Sequence, residues 1–360
     1  MKILIFCLPG IGDTLMFTPA LELLRKKFPQ TQIDCLTMFE GSKEVLLNNK
    51  SLDNVFYFPL IDKPKIEGIR YLLNLRKRKY DISIMAFPAY RKEYNFVSFL
   101  VGAKKRIAHK FKKGYFKELT FLNNCLVGVD EEKHNIINNL NLLKALNIKW
   151  EKEIDLNNIK YHLKLSEQDL DYIDKFLKEQ EIDKRSLLIG IHPGSINSRI
   201  GFLRRWMPER YAEVADEFVN KYQAKIFVFA GPTDIKDAEE IKYLMKNKPI
   251  IIKGLNLGKV MAFIKNLDLL IANDSGLGHI AAALDITLVT LWGPTNPKWS
   301  LPWNKEKVYL IRKAKFLPWY NYYLKTKVPK GKEKLSGMEE IQVEDVLKTV
   351  ENIIRQIKNK

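Results

Sequence analysis

The chain is poor in cysteine, with three in 360 residues, and Cys7, Cys35 and Cys125 lie far apart. That spacing offers neither a disulfide framework nor a thiolate metal site. No stretch reaches the ~18 uninterrupted apolar residues that a membrane-spanning helix needs. Residues 1–8 are apolar enough to suggest a short signal peptide. They lack a small-residue cleavage site and run straight into a glycine-rich turn, so they are predicted to be a first strand, and a cytoplasmic location is expected. Acidic residues are outnumbered, 42 against 60 Lys and Arg, which leaves a formal charge of +18. Such a surface attracts nucleic acid, anionic lipid headgroups or phosphorylated glycans. The lysines are scattered rather than gathered into a nucleic-acid-binding motif. With 46% hydrophobic and 28% charged residues, the composition is that of a globular protein long enough for two domains.

The hydrophobic pattern alternates between short apolar runs and amphipathic segments. Strands are predicted at residues 2–8, 33–38, 55–58 and 82–87, with a helix at 15–28 after the first and helical segments between the others. A further helix follows at 135–146. Residues 164–181 read as a charged helix leading into a domain join, because the alternation restarts at Leu187. Strands follow at 187–191, 226–230, 250–252, 269–272 and 287–292. Helices are expected from Glu209, near Ala238, at 257–265 and after His279, and an amphipathic helix closes the chain at 339–357. This order argues for parallel sheets covered by helices on both faces. Residues 101–117 break the pattern. Lys104, Lys105, Arg106, His109, Lys110, Lys112 and Lys113 alternate there with Phe111, Tyr115 and Phe116, as a solvated loop and helix face or as a basic rim for an acidic acceptor.

Four strands of the second half end on turns rich in Gly, Ser, Asp and Pro, and in open parallel sheets ligands sit beyond the carboxyl ends of the strands. The richest turn is Asn273, Asp274, Ser275, Gly276, Leu277, Gly278, His279. It places Asp274 and His279 beside a helix start whose free N–H groups suit an anion, phosphate above all. An ordinary helix-capping loop is the plain alternative. His192, Pro193, Gly194 and Ser195 form a second such turn, with Arg204 nearby to add a fixed charge and a bidentate hydrogen bond. Together they suggest a diphosphate site. Near the N-terminus, Gly10, Gly12 and Asp13 are not a dinucleotide fingerprint, since the third glycine would fall at Leu15. They offer backbone close to a ligand, and a carboxylate that can cap a helix or serve as a general base. Asp169 and Asp171 look like a metal-binding D-x-D, but Leu170, Ile173, Phe176 and Leu177 place them on the wet face of an amphipathic helix.

Gly10-x-Gly12-Asp13, His192-Pro-Gly-Ser195 with a basic residue two before Trp206, Asn273-Asp-Ser-Gly-Leu-x-His279 and Gly293-Pro-Thr-Asn-Pro297 occur in an order that resembles glycosyltransferase family 9, whose best-known members are the ADP-heptose:lipopolysaccharide heptosyltransferases. The resemblance implies an α/β GT-B fold, two Rossmann-like domains facing across a cleft. The acceptor domain would span residues 1–165 and the nucleotide-sugar domain 166–335, with a closing helix at 336–360 packed back on the first domain. It implies inverting transfer, with no metal and no cofactor beyond the nucleotide-sugar substrate, most simply ADP-heptose. Carried over by position, Asp13 is the catalytic base, Gly10 and Gly12 lie near the sugar, and His192, Ser195, Asp274, Ser275, Gly276, Leu277 and His279 bind the donor. Arg204 stands where the family has a lysine on the diphosphate, and Met207 replaces a common proline. Asp234 is the candidate for the ribose. The implied acceptor is an anionic lipopolysaccharide inner core at the cytoplasmic face of the inner membrane, with Lys104 and Arg106 as candidates to contact it. A monomer in peripheral contact with that membrane is expected, without nucleic-acid partners. Two rivals are a nucleotide-sugar epimerase on a similar scaffold and a non-enzymatic nucleic-acid-binding protein suggested by charge alone.

Overall fold

A computed structural model describes residues 1–112, 114–183, 185–195, 201–315 and 336–358. The expected loop segment 196–200 and Lys113 lie outside the described residues. The chain forms two compact units, Met1–Lys164 with Lys298–Ser300, and Leu165–Pro297 with Leu301–Lys360.

The first unit carries a six-stranded parallel sheet: β1 (Lys2–Cys7), β2 (Gln32–Thr37), β3 (Asn54–Tyr57), β4 (Ile82–Met85), β5 (Lys105–Lys110) and β6 (Cys125–Gly128), in the spatial order β3-β2-β1-β4-β5-β6. The crossovers hold α1 (Ile11–Lys27), α2 (Glu40–Glu44), α3 (Lys65–Arg76) and α4 (Lys92–Val101), and α5 (Asn135–Leu142) follows the last strand. Strand order reverses between β1 and β4, and the ligand crevice of such a sheet opens at that switch point. β1 is buried on both faces, Ile3 to Leu8 being at most 2% exposed, which is why it reads as an unbroken apolar run. α1 starts earlier than its apolar pattern suggests, because the Gly12–Asp13 stretch already belongs to its first turn. Pro19 inside α1 cannot donate to the Leu15 carbonyl. The Thr18 hydroxyl takes that place, at 2.7 Å from Leu15 O.

The second unit repeats the plan with β7 (Leu188–His192), β8 (Lys225–Ala230), β9 (Ile250–Lys253), β10 (Leu269–Asn273), β11 (Thr287–Leu291) and β12 (Val308–Ile311), ordered β12-β11-β10-β7-β8-β9. Its helices are α6 (Glu167–Glu179), α7 (Pro208–Tyr222), α8 (Ile235–Leu244), α9 (Leu257–Lys265), α10 (Gly276–Ala283) and α12 (Val343–Lys358); a four-residue turn of helix, α11 (Pro297–Ser300), comes between β11 and β12 in the chain, and its Lys298–Ser300 belong to the first unit. Its switch point lies between β7 and β10, which pair in register with Ala272 opposite His192. Among the described residues, no helix is long and apolar enough to cross a membrane.

Two expectations need correction. The closing helix was expected on the first domain, but α12 packs on α7, β11 and β12 of the second unit. Val346, Val350, Ile353 and Ile354 are at most 2% exposed there, within one core with Ile189, Phe218 and Leu291. An amphipathic stripe signals that a helix must be covered and not by which sheet. Residues 101–117 are not merely loop and helix face. Residues 105–110 form β5, in which Ile107 and Ala108 are buried while charged heads mark its ends.

Candidate active site

In the second unit, β7 and β10 deliver their carboxyl ends side by side. The Asn273 side chain joins the two turns. Its amide donates to Pro193 O at 2.6 Å, and its carbonyl accepts from Tyr211 Oη at 2.9 Å and Trp206 N at 3.2 Å. Trp206 is 1% exposed and donates its indole N–H to Ile341 O at 3.0 Å. This buried frame fixes the turn after β7 against the one after β10.

Asp274 lies on that frame and is 7% exposed. One carboxylate oxygen accepts from Arg204 Nη1 at 2.7 Å and from Thr295 Oγ1 at 2.8 Å, while Ser195 Oγ donates to the Asp274 carbonyl at 3.2 Å. Asp274 therefore aims Arg204. The guanidinium Nε of Arg204 is buried and has no hydrogen-bond partner among the described residues. A buried cationic donor without an acceptor is costly, and an anionic oxygen is the group that would complete it. Thr295 explains the Gly-Pro-Thr-Asn-Pro turn. Gly293 explains it further, since a Cβ there would come within 2.2 Å of Ser336 O.

Ser275 precedes α10 but does not cap it; its hydroxyl lies 3.0 Å from His192 Nδ1. The first-turn N–H groups of α10 therefore donate no bond to that hydroxyl, and a helix start of this kind attracts anions. His279, 4% exposed on the same helix, is pushed down to about 4 by burial, so it is neutral near pH 7. It can offer a hydrogen bond to a ligand but not a charge.

Asp234, the ribose candidate, is already engaged. Its carboxylate lies 2.9 Å from Arg205 Nη2 and 3.5 Å from His192 Nε2, and accepts from Thr233 Oγ1 at 3.0 Å. Burial works to raise its pKa, but the His192 contact and then the charges of His192 and Arg205 hold it below the ordinary carboxylate value. A Cβ on Gly194 would stand 2.2 Å from that carboxylate, so glycine makes room for it. Arg205 also pairs with Asp237 at 2.7 Å and covers the Phe202 ring. Sequence reasoning did not single out Thr295 and Arg205 as site residues. The signal for Thr295 was present, since the turn that carries it is conspicuous beside β11.

In the first unit, Gly10 is the N-cap of α1 and Asp13 lies in its first turn, directly beyond the carboxyl end of β1. A negative group there is favoured by the positive end of the helix. A Cβ on Gly10 would meet nothing within 4 Å, so the fold itself does not require glycine at that point. Burial pushes the Tyr94 hydroxyl up to about 12, with Asp13 among the charges that add to the shift. Across the switch point, Asn139 holds the end of β4 to α1: its Oδ1 accepts from Phe87 N at 2.8 Å and its Nδ2 donates to Met16 O at 3.2 Å. Lys104 and Arg106 sit elsewhere. They mark the start of β5, at the amino end of the sheet, whereas Asp13 follows the carboxyl end. Lys104 pairs with Asp81 at 2.8 Å, and Arg106 donates to Leu122 O and Ala103 O, each at 2.9 Å. The structure does not bring them to Asp13, and Arg106 is a clamp for the return segment.

The D-x-D pair is not assembled for a metal. Asp169 accepts from Ser166 Oγ at 2.5 Å and returns its own N–H to that oxygen at 3.1 Å, which caps α6. Among the described residues, no group of three His, Cys, Asp or Glu is placed to hold an ion.

Each unit also buries a neutral histidine. His109 is pushed down to about 4 by burial, as His279 is, and both lie below the unfolded value of about 6.5. The unfolded chain then takes up protons first as pH falls. Stability should be full above pH ~6.5 and decline as pH drops towards 4. Thermal unfolding between pH 7.5 and 4 checks this, and the decline should be shallower in His279→Asn.

A family model described as glycosyltransferase family 9 (heptosyltransferase) matches residues 70–318. The chain belongs to glycosyltransferase family 9. This glycosyltransferase is 26% identical over 318 residues to lipooligosaccharide heptosyltransferase 2 of Campylobacter jejuni, covering 86% of each chain. It superposes on a family 9 glycosyltransferase of Veillonella parvula with a TM-score of 0.78 at 24% identity, over 99% of this chain and 97% of the other. The Escherichia coli ADP-heptose lipopolysaccharide heptosyltransferase II gives a TM-score of 0.77 at 20% identity, over 99% and 100%. The enzyme thus has the GT-B fold, two Rossmann-like α/β units each built on a six-stranded parallel sheet.

Proposed function

We propose that this enzyme moves a heptose from ADP-heptose to an anionic lipopolysaccharide inner-core acceptor, by an inverting, metal-independent displacement. The relative in Campylobacter jejuni and the neighbour in Escherichia coli carry heptosyltransferase names, and the latter names ADP-heptose. The observation that carries the reading on this chain is the Asp274–Arg204 pair, with its buried unsatisfied Nε, beside the open start of α10.

Asp13 takes the proton from the acceptor hydroxyl as it attacks the anomeric carbon, and the C–O bond to the diphosphate breaks in the same step. The sugar passes through an oxocarbenium-like state, as in glycoside hydrolysis. Negative charge grows on the departing diphosphate, where Arg204, Ser195 and the first N–H groups of α10 receive it. His192, 3.0 Å from Ser275 Oγ, keeps the turn in place, and His279 binds the donor beside it. The engagement of the Asp169 carboxylate by the hydroxyl of Ser166, the N-cap of α6, supports the metal-independent part. The open space over Gly10 supports close approach of substrate to the start of α1.

The experiment is a matrix of ADP-, UDP- and GDP-sugars with and without a Kdo–lipid A acceptor, in the presence of a chelator. A true donor stabilises the fold by mass action, by about 2.7 kcal/mol at a hundredfold excess over Kd, and this is read as a thermal shift. Heptose transfer should need both substrates and survive chelation. Conversion of the nucleotide-sugar without acceptor would favour the epimerase reading instead.

A further inference from the structure

Eight Phe or Tyr side chains of the described residues are conspicuously exposed, and five of them belong to one neighbourhood of the first unit: Phe96, Phe99, Tyr115, Phe116 and Phe121. Phe96 and Phe99 lie on α4, which packs against the short 3-10 turn at Thr120–Leu122 that carries Phe121. Tyr115, Phe116 and Phe121 form a cluster with ring centroids 5.1 to 6.5 Å apart, yet Phe116 remains 77% exposed. Aromatic rings that gather and still face water are costly on a protein that has no use for them.

The segment is not a loose loop. Glu118, 3% exposed, accepts from Lys92 N at the start of α4 and, through its carbonyl, from Asn95 Nδ2 at 2.7 Å. Asn123 donates to Asn95 Oδ1 at 2.7 Å, and Arg106 holds Leu122 O. These hydrogen bonds pin Glu118 and Asn123 to α4 and Leu122 to β5, so the segment that carries the rings is held by a fixed frame. Exposed cations flank these residues along the chain: Lys92 at the start of α4, Lys110 at the end of β5, and Lys112 and Lys117 on either side of Tyr115 and Phe116. Glu93 is the exposed acid on α4, and Glu131 is paired with Lys112 at 3.3 Å.

We propose that the face formed by α4 and residues 114–122 docks on an anionic lipid bilayer, with the aromatic cluster at the interface and the lysines on the headgroups. Aromatic rings flanked by lysines match the boundary between acyl chains and anionic headgroups. Each lysine near such a surface adds to the attraction, and the +18 charge of the chain acts in the same direction. The start of α4 lies at the carboxyl end of the first sheet, the end that carries Asp13. A docked face would hold a lipid-anchored acceptor beside that end. The choice of partner agrees with the proposed glycolipid acceptor, but glycolipid-free vesicles test it separately.

The test is flotation of the full chain with vesicles of phosphatidylglycerol and phosphatidylethanolamine, against vesicles of phosphatidylcholine alone. Binding should be confined to the anionic vesicles and fall steeply between 50 and 500 mM salt. Phe116→Ser with Phe121→Ser, and separately Lys110→Glu with Lys117→Glu, should each lower partitioning at least tenfold with the thermal midpoint unchanged. Transfer to a deacylated, soluble acceptor should be retained in both. Equal binding to phosphatidylcholine, or flotation of the variants like the parent, overturns the proposal. So does an oligomer that Phe116→Ser with Phe121→Ser dissociates, since a second copy would then be what covers the rings. Loss of transfer to the soluble acceptor would place the rings in the acceptor site and overturn it as well.

Discussion

Asp13→Ala is expected to lower the turnover of sugar transfer by ~10²–10⁴, the usual contribution of a positioned general base, while the protein folds and binds nucleotide as before. The physical case rests on position. Asp13 follows β1 at the switch point of the first sheet, in the first turn of α1, where a ligand approaches the free helix start. Its neighbours on the core side, Thr14 and Leu15, are at most 1% exposed and belong to the packing, whereas Asp13 itself is half-buried. Removing its carboxylate leaves that packing in place. Asp13→Asn keeps the size and the hydrogen-bonding face but cannot accept the proton, so its loss should match that of alanine. Both kcat and kcat/KM should fall together, because proton removal is felt only in the transition state. Thermal shift with ADP separates the result from unfolding. Near-normal turnover in either variant would remove Asp13 from the mechanism.

The fold was legible in the chain because each sheet's central strands are buried on both faces. β1, β7 and β10 read as continuous apolar runs, and each ends on a glycine- or asparagine-marked turn. Strands that escaped lie towards the sheet edges. β6 and β12 are four residues long and mostly half-exposed, so neither builds a periodic signal. β5 was hidden by the lysines and arginine at its ends, although Ile107 and Ala108 lie in the core. α10 begins at Gly276, ahead of the run that signals it, because the glycines of its first turn carry no helix preference of their own. The site was legible as residue types and less so as roles. A carboxylate in a turn looks the same whether it faces a ligand or a guanidinium. Asp274 and Asp234 prove to be the counter-ions of Arg204 and Arg205, a fact that depends on long-range contacts across 70 and 29 residues. Lys104 and Arg106 were grouped by sequence with Lys110 and Lys112, but β5 carries its start to the amino end of the sheet and Lys110 to the carboxyl end.

Arg204→Ala is the second substitution with a large expected effect, and it acts twice. The Asp274–Arg204 pair is nearly closed to solvent, with side chains 10% and 12% exposed. Deleting one member leaves the Asp274 carboxylate to the Thr295 hydroxyl, and breaking a buried pair in this way costs about 3–5 kcal/mol. The same change removes the charge proposed to receive the diphosphate, which should lower kcat by ~10²–10³. The two effects are separable by substitution. Asp274→Asn with Arg204→Ala removes both charges, so the double variant should recover part of the stability lost in Arg204→Ala and none of the turnover. Arg204→Lys restores the residue that the family resemblance leads one to expect. An ammonium can reach one oxygen as a point charge but cannot bridge carboxylate and phosphate with a planar fork. Stability and kcat should then return most of the way, while discrimination between nucleotide-sugars shifts. If Arg204→Ala lost stability but kept its turnover when assayed below its thermal midpoint, Arg204 would be a strut for the β10 turn and the leaving group would have to be met by the start of α10 alone.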